Sequence, residues 1–394
     1  MDSTHREERT VSGLTYVELF AGAGGLSMGL DAAGFEPIAH AEIEPNARAV
    51  LRRQWPTVPM HGDVAQIDGT QFRGVTLISG GSPCQDLSVA GRRAGLDGAR
   101  SGLFHEQVRI WKESEAPYLI WENVLGALSS NNGHDFAAVL SAIVGADVAV
   151  PAHGWKRGGV ASGRDAVAAW RVLDLQHFGP PQRRVRVFLV AARAGGVDPA
   201  EVLALGESQC GHPSPREQAE EAARRELAER AGASTIGTRI KWASDCPPCP
   251  LCEEPWCVDC DEHYADCACL GPNSLDEDDT AHRGDDLLVA RMVAFGEYTI
   301  DGTASAIKAR DYKDATDLVY SASMNPRRLT PLECERLMSW PDHWTRYGAH
   351  EDGTPFLLSD AARYRLCGNG VGSVCVAWFA ARLARMIEAA SCPP

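Results

Sequence analysis

The stretch LTYVELFAGAGGLSMGLDAAGF, residues 14–35, decides the fold. Its first seven residues are mostly aliphatic, β-branched or aromatic, which favours a buried strand, and Leu26, Leu30 and Ala33 then recur at helical spacing. The glycine-rich turn between them does not match G-x-G-x-x-G, and an ordinary turn between strand and helix is the alternative. A strand, a glycine turn and a helix nevertheless form the arrangement in which backbone approaches a nucleotide-like ligand closely, so the stretch predicts an α/β fold.

Two polar side chains follow the next strand ends. The run Pro37–Glu42 is predicted to be a second strand that ends in a carboxylate, and Asp63 follows the next crossover. An acidic residue at this distance from a glycine turn contacts ribose hydroxyls in dinucleotide-binding folds. The glycine turn, Glu42 and Asp63 together therefore suit a cofactor that contains adenosine.

The segment GGSPCQ, residues 80–85, follows another apolar run and contains one cysteine. Strand ends in α/β folds are where ligands meet catalytic groups, and Pro83 stiffens the chain just before Cys84. A thiol is the best side-chain nucleophile, but a lone cysteine near a strand end is more often a small buried hydrophobe. The polar, glycine-rich residues 91–102 are predicted to form a loop beside it.

A carboxylate and a basic segment come later in the chain. The apolar run Pro117–Trp121 predicts a buried strand that leads into Glu122. A desolvated position would raise the pKa of this carboxyl, as a general acid requires, whereas an exposed loop carboxylate is the plainer alternative. In the segment QRRVR, Gln182, Arg184 and Arg186 alternate, which predicts that they share one side of a strand.

Composition limits the class of protein. The chain has 394 residues, of which 44% are hydrophobic and 23% charged, as in a soluble globular protein of two or three domains. We see no signal peptide and no membrane span, so a cytoplasmic protein with no membrane partner is expected. The net charge of −15 argues against a general polyanion binder, although arginines cluster locally.

A cysteine cluster predicts a metal site. Of the 13 cysteines, seven lie between Cys246 and Cys269, and two Cys-x-x-Cys pairs stand close together. Paired knuckles in a reducing compartment favour structural zinc over disulfides, with surface thiols or a redox pair as alternatives. The candidate ligands are Cys246, Cys249, Cys252, Cys257, Cys260, His263, Cys267 and Cys269.

Six ordered segments resemble motifs of the DNA (cytosine-5)-methyltransferases. They are ELFAGAGG (18–25), GGSPCQ (80–85), ENV (122–124), QRRVR (182–186), RRLTPLECERLMSWPD (327–342) and YRLCGNGVGSV (364–374). The resemblance covers most of residues 14–193 and 327–385. The chain departs from the family at Glu18, where aspartate is commoner, and at Gly370, where serine or alanine is usual. The second departure bears on the shape of the cofactor pocket and on its tolerance of a bulkier sulfonium.

The resemblance implies S-adenosylmethionine as the cofactor and methyl transfer to C5 of a flipped-out cytosine in duplex DNA. It implies that Cys84 attacks C6 of the base, that Glu122 bonds to or protonates N3, and that Arg186 binds the cytosine O2. The remaining residues that it assigns to the catalytic site are Asn123, Gln182 and Arg184. The residues that it assigns to cofactor binding are Phe20, Gly22, Gly24, Leu26, Glu42, Asp63, Pro83 and Asn369.

The resemblance also implies the domain organisation. Residues 14–193 and 327–392 would form a discontinuous, Rossmann-like S-adenosylmethionine-dependent methyltransferase domain, with a mostly parallel sheet and helices on both faces. Residues 194–326 would form a smaller, irregular target-recognition domain that contains the zinc module at 246–269. The candidate DNA contacts are Gln85, Ser88, Arg92, Arg93, Lys308, Arg310 and Lys313. A solvated basic loop is the alternative for the last three.

Three other functions use part of the same evidence. The thiol chemistry also serves tRNA cytosine methylation, although the long recognition segment favours DNA. A catalytically idle DNA-binding regulator would not need Cys84, Glu122 and Arg186, and a redox or metal-storage protein would leave the other motifs unexplained. We expect a monomer with a cognate restriction endonuclease as a partner, although an orphan or phage-encoded enzyme has the same sequence features.

Overall fold

A central sheet organises the computed structural model, which describes residues 13–83, 102–204, 288–294, 297–300, 303–309, 311, 317–321 and 324–391. The first half of the chain contributes nine strands: β1 (Thr15–Leu19), β2 (Glu36–Ala41), β3 (Met60–His61), β4 (Leu77–Gly80), β5 (Tyr118–Val124), β6 (Gly158–Ser162), β7 (Val167–Asp174), β8 (Gln182–Arg183) and β9 (Val185–Ala192). Eight of them form one sheet in the order β3-β2-β1-β4-β5-β9-β7-β6.

The strand order creates a switch point between β1 and β4. The pairs β3–β2, β2–β1, β1–β4 and β4–β5 are parallel, whereas β5–β9, β9–β7 and β7–β6 are antiparallel. Connections leave β1 towards one edge of the sheet and β4 towards the other. Ligands of open α/β sheets bind outside the carboxyl ends of the strands at such a point, and both the glycine turn and the segment leading to Cys84 begin there.

Helices cover both faces of this sheet. The described helices are α1 (Gly25–Ala32), α2 (Pro45–Gln54), α3 (Leu103–Ser114), α4 (His134–Val144), α5 (Pro199–Val202), α6 (Pro331–Leu337), α7 (Asp360–Asn369) and α8 (Ser373–Ser391). Trp111 of α3 and Phe136 of α4 lie in one buried cluster, and Leu30 of α1 and Phe379 of α8 lie in the cluster on the opposite face. Burial on both faces explains why the parallel strands are nearly continuous apolar runs.

The C-terminal helix packs directly on the first helix of the chain. A Cβ atom at Gly29 of α1 would lie 2.5 Å from Cβ of Val376 in α8, so the glycine permits this close approach. The apolar side of α8 therefore packs against the first half of the chain. Among the described helices none alone is long and apolar enough to cross a membrane, although α7 and α8 pass that test together as a bent pair.

The described second half adds strands that sequence patterns did not predict: β10 (Leu288–Ala294), β11 (Glu297–Thr299), β12 (Ala304–Ser305), β13 (Leu318–Ser321), β14 (Met324–Arg327), β15 (Tyr347–Ala349) and β16 (Pro355–Leu357). An antiparallel sheet has the order β11-β10-β13-β14, and β12 pairs with β8. Val289 and Val319 share a buried cluster with Trp340. These strands thus contact both segments of the predicted catalytic domain, whose boundaries stay a prediction.

The predicted single strand through Gln182, Arg184 and Arg186 is wrong. β8 ends at Arg183 and β9 begins at Val185, because the backbone N–H of Arg184 donates to the carbonyl of Gln182 (3.1 Å) and turns the chain. Gln182 pairs with Ala304 outside the central sheet. Alternation in sequence therefore does not place the three side chains on one surface.

Candidate active site at the carboxyl edge of the sheet

Strand β5 holds the segment that leads to Cys84. The indole N–H of Trp121 donates to Oγ of Ser82 (3.0 Å), and the side-chain amide of Asn123 donates to the carbonyl oxygen of Ser82 (2.9 Å). Ser82 is buried, and Pro83 beside it is exposed. Cys84 itself lies outside the described residues, but the chain two residues before it is fixed by two side chains of the neighbouring strand.

Glu122 lies buried beside this segment and is paired with Arg186. Its carboxylate is 3.1 Å from Nε of Arg186, and the side chain of Glu122 is 10% exposed. Register explains the pair, because Arg186 of β9 lies opposite Val124 of the antiparallel strand β5. A Cβ atom at Gly81 would lie 2.9 Å from Oε2 of Glu122, so only glycine lets the carboxyl lie against the segment before Cys84.

Glu122 is buried, which favours its neutral form, and it also lies close to two guanidinium groups. Burial raises the pKa of Glu122, and the guanidinium groups of Arg186 and Arg184 act in the opposite direction. A carboxyl that is desolvated and yet close to a cation can hold a proton and release it to a neighbouring base. The exposed loop carboxylate considered as the alternative is therefore ruled out by position.

Arg184 and Gln182 have contacts within the protein. The guanidinium of Arg184 donates to the carbonyl oxygens of Ile307 (3.1 Å) and Gly368 (3.0 Å), and also to that of Gly370. The amide of Gln182 donates to the carbonyl oxygen of Leu337 (3.1 Å). Both side chains are fully buried and join the segment before β9 to the C-terminal segment. Their predicted contacts with cytosine stay predictions, and only Arg186 lies against Glu122.

The glycine turn after β1 contains positive φ angles, which residues with side chains rarely adopt. Gly22 and Gly24 have φ angles of 54° and 85°, and Phe20 has a φ of 55° although it is not glycine. Such strained positions cluster at ligand sites, where the surrounding structure holds them. The backbone N–H of Gly22 donates to Oε2 of Glu42 (2.7 Å), which ties the turn to the end of β2.

Glu42 is oriented by the backbone and keeps capacity for a ligand. Its Oε1 accepts hydrogen bonds from the backbone N–H groups of Ile43 and Glu44, both at 2.8 Å. A carboxylate has about four acceptor sites, so the three bonds leave room for a ligand hydroxyl. The side chain of Ile43 is 73% exposed and adds an apolar surface beside the carboxylate. Sequence reasoning missed Ile43, although its place directly after a strand-end carboxylate was a usable signal.

The C-terminal segment packs against the glycine turn that follows β1. The indole N–H of Trp344 donates to the carbonyl oxygen of Ala23 (2.8 Å), and a Cβ atom at Gly25 would lie 2.7 Å from the carbonyl oxygen of Val371. Asn369 is the last residue of α7, two positions before that contact. Residues near the C-terminus therefore meet the turn that begins at Phe20.

The other predicted cofactor residues differ in exposure. Leu26 is buried in the core between α1 and α8, so its side chain serves packing. Phe20 is partly buried against the opposite core cluster, and Asp63 accepts a hydrogen bond from the backbone N–H of Ala65 (2.9 Å) at the start of a short helical turn. At Gly370, where the family usually has serine or alanine, a Cβ atom would lie 2.4 Å from the ring of Trp340, and the effect of this glycine on the cofactor pocket stays a prediction.

Several predicted ligands cannot be placed. Of the candidate DNA contacts, Lys308 is described and exposed, whereas Gln85, Ser88, Arg92, Arg93, Arg310 and Lys313 lie outside the described residues. The candidate zinc ligands between Cys246 and Cys269 also lie outside them. Within the described ranges, no group of three His, Cys, Asp or Glu residues could hold a metal ion. Zinc stays a prediction.

Comparisons with known proteins agree with this site. The family described as C-5 cytosine-specific DNA methylase matches residues 14–214. A protein of Escherichia phage P1 named DNA N-6-adenine-methyltransferase is 27% identical over 95% of this chain and 61% of its own length. The type II methyltransferase M.XorII of Xanthomonas oryzae is 33% identical over 50% of this chain and 44% of its own length. The chain thus spans less than two thirds of either relative.

A solved structure supports the fold. A protein encoded within an E. coli prophage, described as a DNA modification methyltransferase, has a TM-score of 0.55 at 18% identity and covers 95% of this chain and 99% of its own. The α/β fold class predicted from the sequence is confirmed. Its large central sheet is mixed, with four parallel and three antiparallel strand pairs.

Proposed function

Because the chain belongs to the family of C-5 cytosine-specific DNA methylases, we propose that it methylates C5 of cytosine in duplex DNA with S-adenosylmethionine. One observation carries the proposal. The buried pair of Glu122 and Arg186 lies against the segment before Cys84, at the same sheet edge as the glycine turn and Glu42. An acid, a cation, the segment that leads to Cys84 and a turn suited to adenosine therefore lie at one edge of one sheet.

The residues of this chain solve the main difficulty of the reaction. C5 of free cytosine is a poor nucleophile. The Cys84 thiolate forms a bond to C6, and the electron pair displaced from the C5–C6 double bond moves into the ring as Glu122 gives its proton to N3. The ring becomes an enamine that is nucleophilic at C5. When bound, S-adenosylmethionine would supply the methyl group that C5 accepts and would leave as S-adenosylhomocysteine. Loss of the C5 proton to a base then expels the Cys84 thiolate, and N3 returns its proton to the Glu122 carboxylate.

The environment of each group suits its role. Burial raises the pKa of Glu122 and so favours the protonated carboxyl that the reaction needs, and Arg186 would stabilise the carboxylate that remains after proton transfer. Arg186 is also proposed to donate to the cytosine O2. Because a stacked base exposes neither face to a thiol, the cytosine must leave the helix, at a cost of a few kcal/mol. Gln85 and Ser88 lie one and four positions after Cys84 and are proposed to contact the DNA that the base leaves.

The cofactor site has features that fit S-adenosylmethionine. Gly22 and Gly24 adopt positive φ angles, and a Cβ atom at Gly22 would meet open space, whereas one at Gly24 would lie 2.5 Å from the ring of Trp55. Glu42 has acceptor capacity for ribose hydroxyls, Ile43 offers an apolar surface for the adenine, and Asp63 would accept the adenine amine. Phe20, Pro83 and Asn369 complete the proposed site, and Leu26 contributes through its backbone.

The setting is that of restriction and modification. M.XorII is named as a type II methyltransferase, and we propose a restriction endonuclease of the same sequence specificity as the functional partner. The name of the phage P1 relative raises adenine N6 as a second target. The family match and the arrangement of Glu122 and Arg186 before Cys84 favour cytosine. Methylation of tRNA is the further alternative, since it uses the same thiol chemistry.

The test is methylation of a random-sequence plasmid and of tRNA by the full chain with S-adenosylmethionine, read by nucleoside mass spectrometry and by sequencing. We expect 5-methylcytosine in one short DNA motif, and none with Cys84→Ala. N6-methyladenine alone, or 5-methylcytosine in tRNA alone, would overturn the proposal. The exposed Glu115→Gln variant serves as the matched control for handling and folding.

A further inference from the structure

Three buried polar side chains form a hydrogen-bonded series next to the predicted cofactor turn. The hydroxyl of Ser27 makes a short hydrogen bond with the carboxyl of Glu18 and lies 2.9 Å from Nε2 of His40. All three side chains are at most 1% exposed. Neither the catalytic scheme nor the cofactor contacts use them, and we call Glu18, Ser27 and His40 the buried link.

The buried link joins the three elements that end at the cofactor turn. Glu18 lies in β1, Ser27 in α1 and His40 in β2. Each lies two positions from a residue at the rim: Glu18 precedes Phe20, Ser27 follows Gly25, and His40 precedes Glu42. The hydrogen bond from Gly22 to Glu42 spans the same gap from above. The buried link therefore fixes the distance between the glycine turn and the Glu42 carboxylate from the side that faces the protein core.

Side-chain length matters at Glu18. An aspartate at this position, which is commoner in the family, would withdraw the carboxyl by one carbon–carbon bond, or about 1.5 Å. The bond to Ser27 would then be broken, because hydrogen bonds weaken steeply beyond their normal range. Glutamine keeps both the length and a neutral head group.

The link is neutral near pH 7. Burial is the main cause that raises the pKa of Glu18 to about 8; the hydrogen bonds with Ser27 oppose the shift, and Asp31 of α1 and Glu42 at the end of β2 add to it. Burial lowers the pKa of His40 to about 4. Tyr16, the neighbour of Glu18 on β1, donates its hydroxyl hydrogen to Asp31 (2.7 Å). An ionised Glu18 would face two carboxylates with no cation in the link to offset them.

We propose that Glu18 is a positioning residue for S-adenosylmethionine, and that it acts as a neutral side chain that holds β1, α1 and β2 at the spacing the cofactor needs. The inference rests on the proposed function, since it concerns the same cofactor site. It adds a residue that touches neither cofactor nor base.

The experiment measures binding of S-adenosylmethionine to the full chain by calorimetry between pH 6.5 and 9.5. The proteins are wild type, Glu18→Gln, Glu18→Asp and Ser27→Ala. If only the neutral form binds well, wild type should lose about tenfold in affinity from pH 7 to pH 9, since the competent fraction falls in that proportion. Glu18→Gln should match wild type at pH 7 and lack this extra loss. The amino group of the cofactor titrates equally with every protein, so the comparison isolates Glu18.

The two shortened variants test position rather than charge. Glu18→Asp and Ser27→Ala should each raise KM for the cofactor about tenfold at pH 7, with kcat and KM for DNA within about twofold of wild type. The inference is overturned if Glu18→Gln binds as weakly as Glu18→Asp, or if it loses affinity with pH as wild type does. Should Glu18→Asp not fold, Ser27→Ala gives the same decision. A wild-type chain that binds no S-adenosylmethionine at any pH would instead refute the proposed function, and this inference with it.

Discussion

Replacement of Gly370 by alanine tests whether close packing of the C-terminal segment is needed to hold the cofactor turn. The φ of Gly370 is −74°, which any residue adopts, so only space opposes a side chain. A Cβ atom there would lie 2.4 and 2.5 Å from two ring atoms of Trp340. Carbon atoms pack at about 3.5–4.0 Å, so ring or backbone must move by roughly 1 Å.

The indole cannot move freely. Trp340 is fully buried, and its N–H donates to the carbonyl oxygen of Val371 (3.0 Å), whose backbone in turn contacts Gly25. Overpacking of this kind costs about 1–3 kcal/mol. We therefore expect Gly370→Ala to lower the free energy of unfolding by about 2 kcal/mol and to raise KM for S-adenosylmethionine, because the displaced backbone forms the wall of the turn.

A double-mutant cycle with Trp340→Phe gives the decisive result. Phenylalanine lacks the far ring atoms that meet position 370, although alone it costs about 1–3 kcal/mol through a cavity and a lost hydrogen bond. Urea unfolding of the double variant should show a loss smaller than the sum of the single losses by about 1 kcal/mol or more. Additive losses would refute the reasoning. Gly126→Ala is the matched control, since its nearest neighbour atom would be 3.9 Å away.

Four further outcomes are expected. Glu122→Gln should lower kcat by about 10²–10⁴-fold in single-turnover assays while cofactor binding is retained, because an amide cannot give a proton to N3. Asn123→Ala should lower kcat by about tenfold or more, because the carbonyl oxygen of Ser82 loses its donor and the segment before Cys84 shifts. Since native Glu18 keeps a proton that the unfolded chain releases, stability falls as pH rises from about 4.5 to 8, and Glu18→Gln should remove part of that fall in thermal unfolding. Purified protein should contain at least one zinc ion per chain, and chelation should lower its unfolding temperature.

Each outcome has a result that contradicts it. Full turnover by Glu122→Gln would show that N3 is protonated by another group, and Glu115→Gln controls for charge alone. Wild-type kcat in Asn123→Ala would mean that Trp121 alone fixes Ser82. If the stability of wild type and of Glu18→Gln falls in parallel as pH rises, Glu18 is not the group that holds the proton in the native state. Less than one zinc ion per chain would remove the predicted zinc module.

Local patterns predicted the elements that carry the site. The strand, turn and helix of residues 14–35 appear as β1, the turn and α1, because their apolar spacing and glycines are local properties. Glu122 was identified at a strand end, and β5 extends through it to Val124. Its pairing with Arg186 depends on antiparallel register, which the sequence alone did not contain.

Features that depend on distant contacts could not be predicted. The turn at Arg184 and its bonds to the carbonyl oxygens of Ile307 and Gly368 join segments more than a hundred residues apart. The sequence also does not reveal that the ring of Trp340 occupies the space that a side chain at position 370 would need. The strands between 288 and 327 were missed for a similar reason, since their core is shared with the C-terminal segment.

Trapping of the covalent intermediate tests the central claim most directly. The full chain would be incubated with S-adenosylmethionine and duplex DNA that carries 5-fluorocytosine at the methylated position, where fluorine replaces the C5 hydrogen and so blocks the elimination that releases the thiolate. We predict a complex that survives denaturation, forms only with cofactor, is absent with Cys84→Ser, and yields a peptide modified at Cys84 by mass spectrometry. A protein that methylates cytosine yet forms no adduct, or forms one on another residue, would contradict the account.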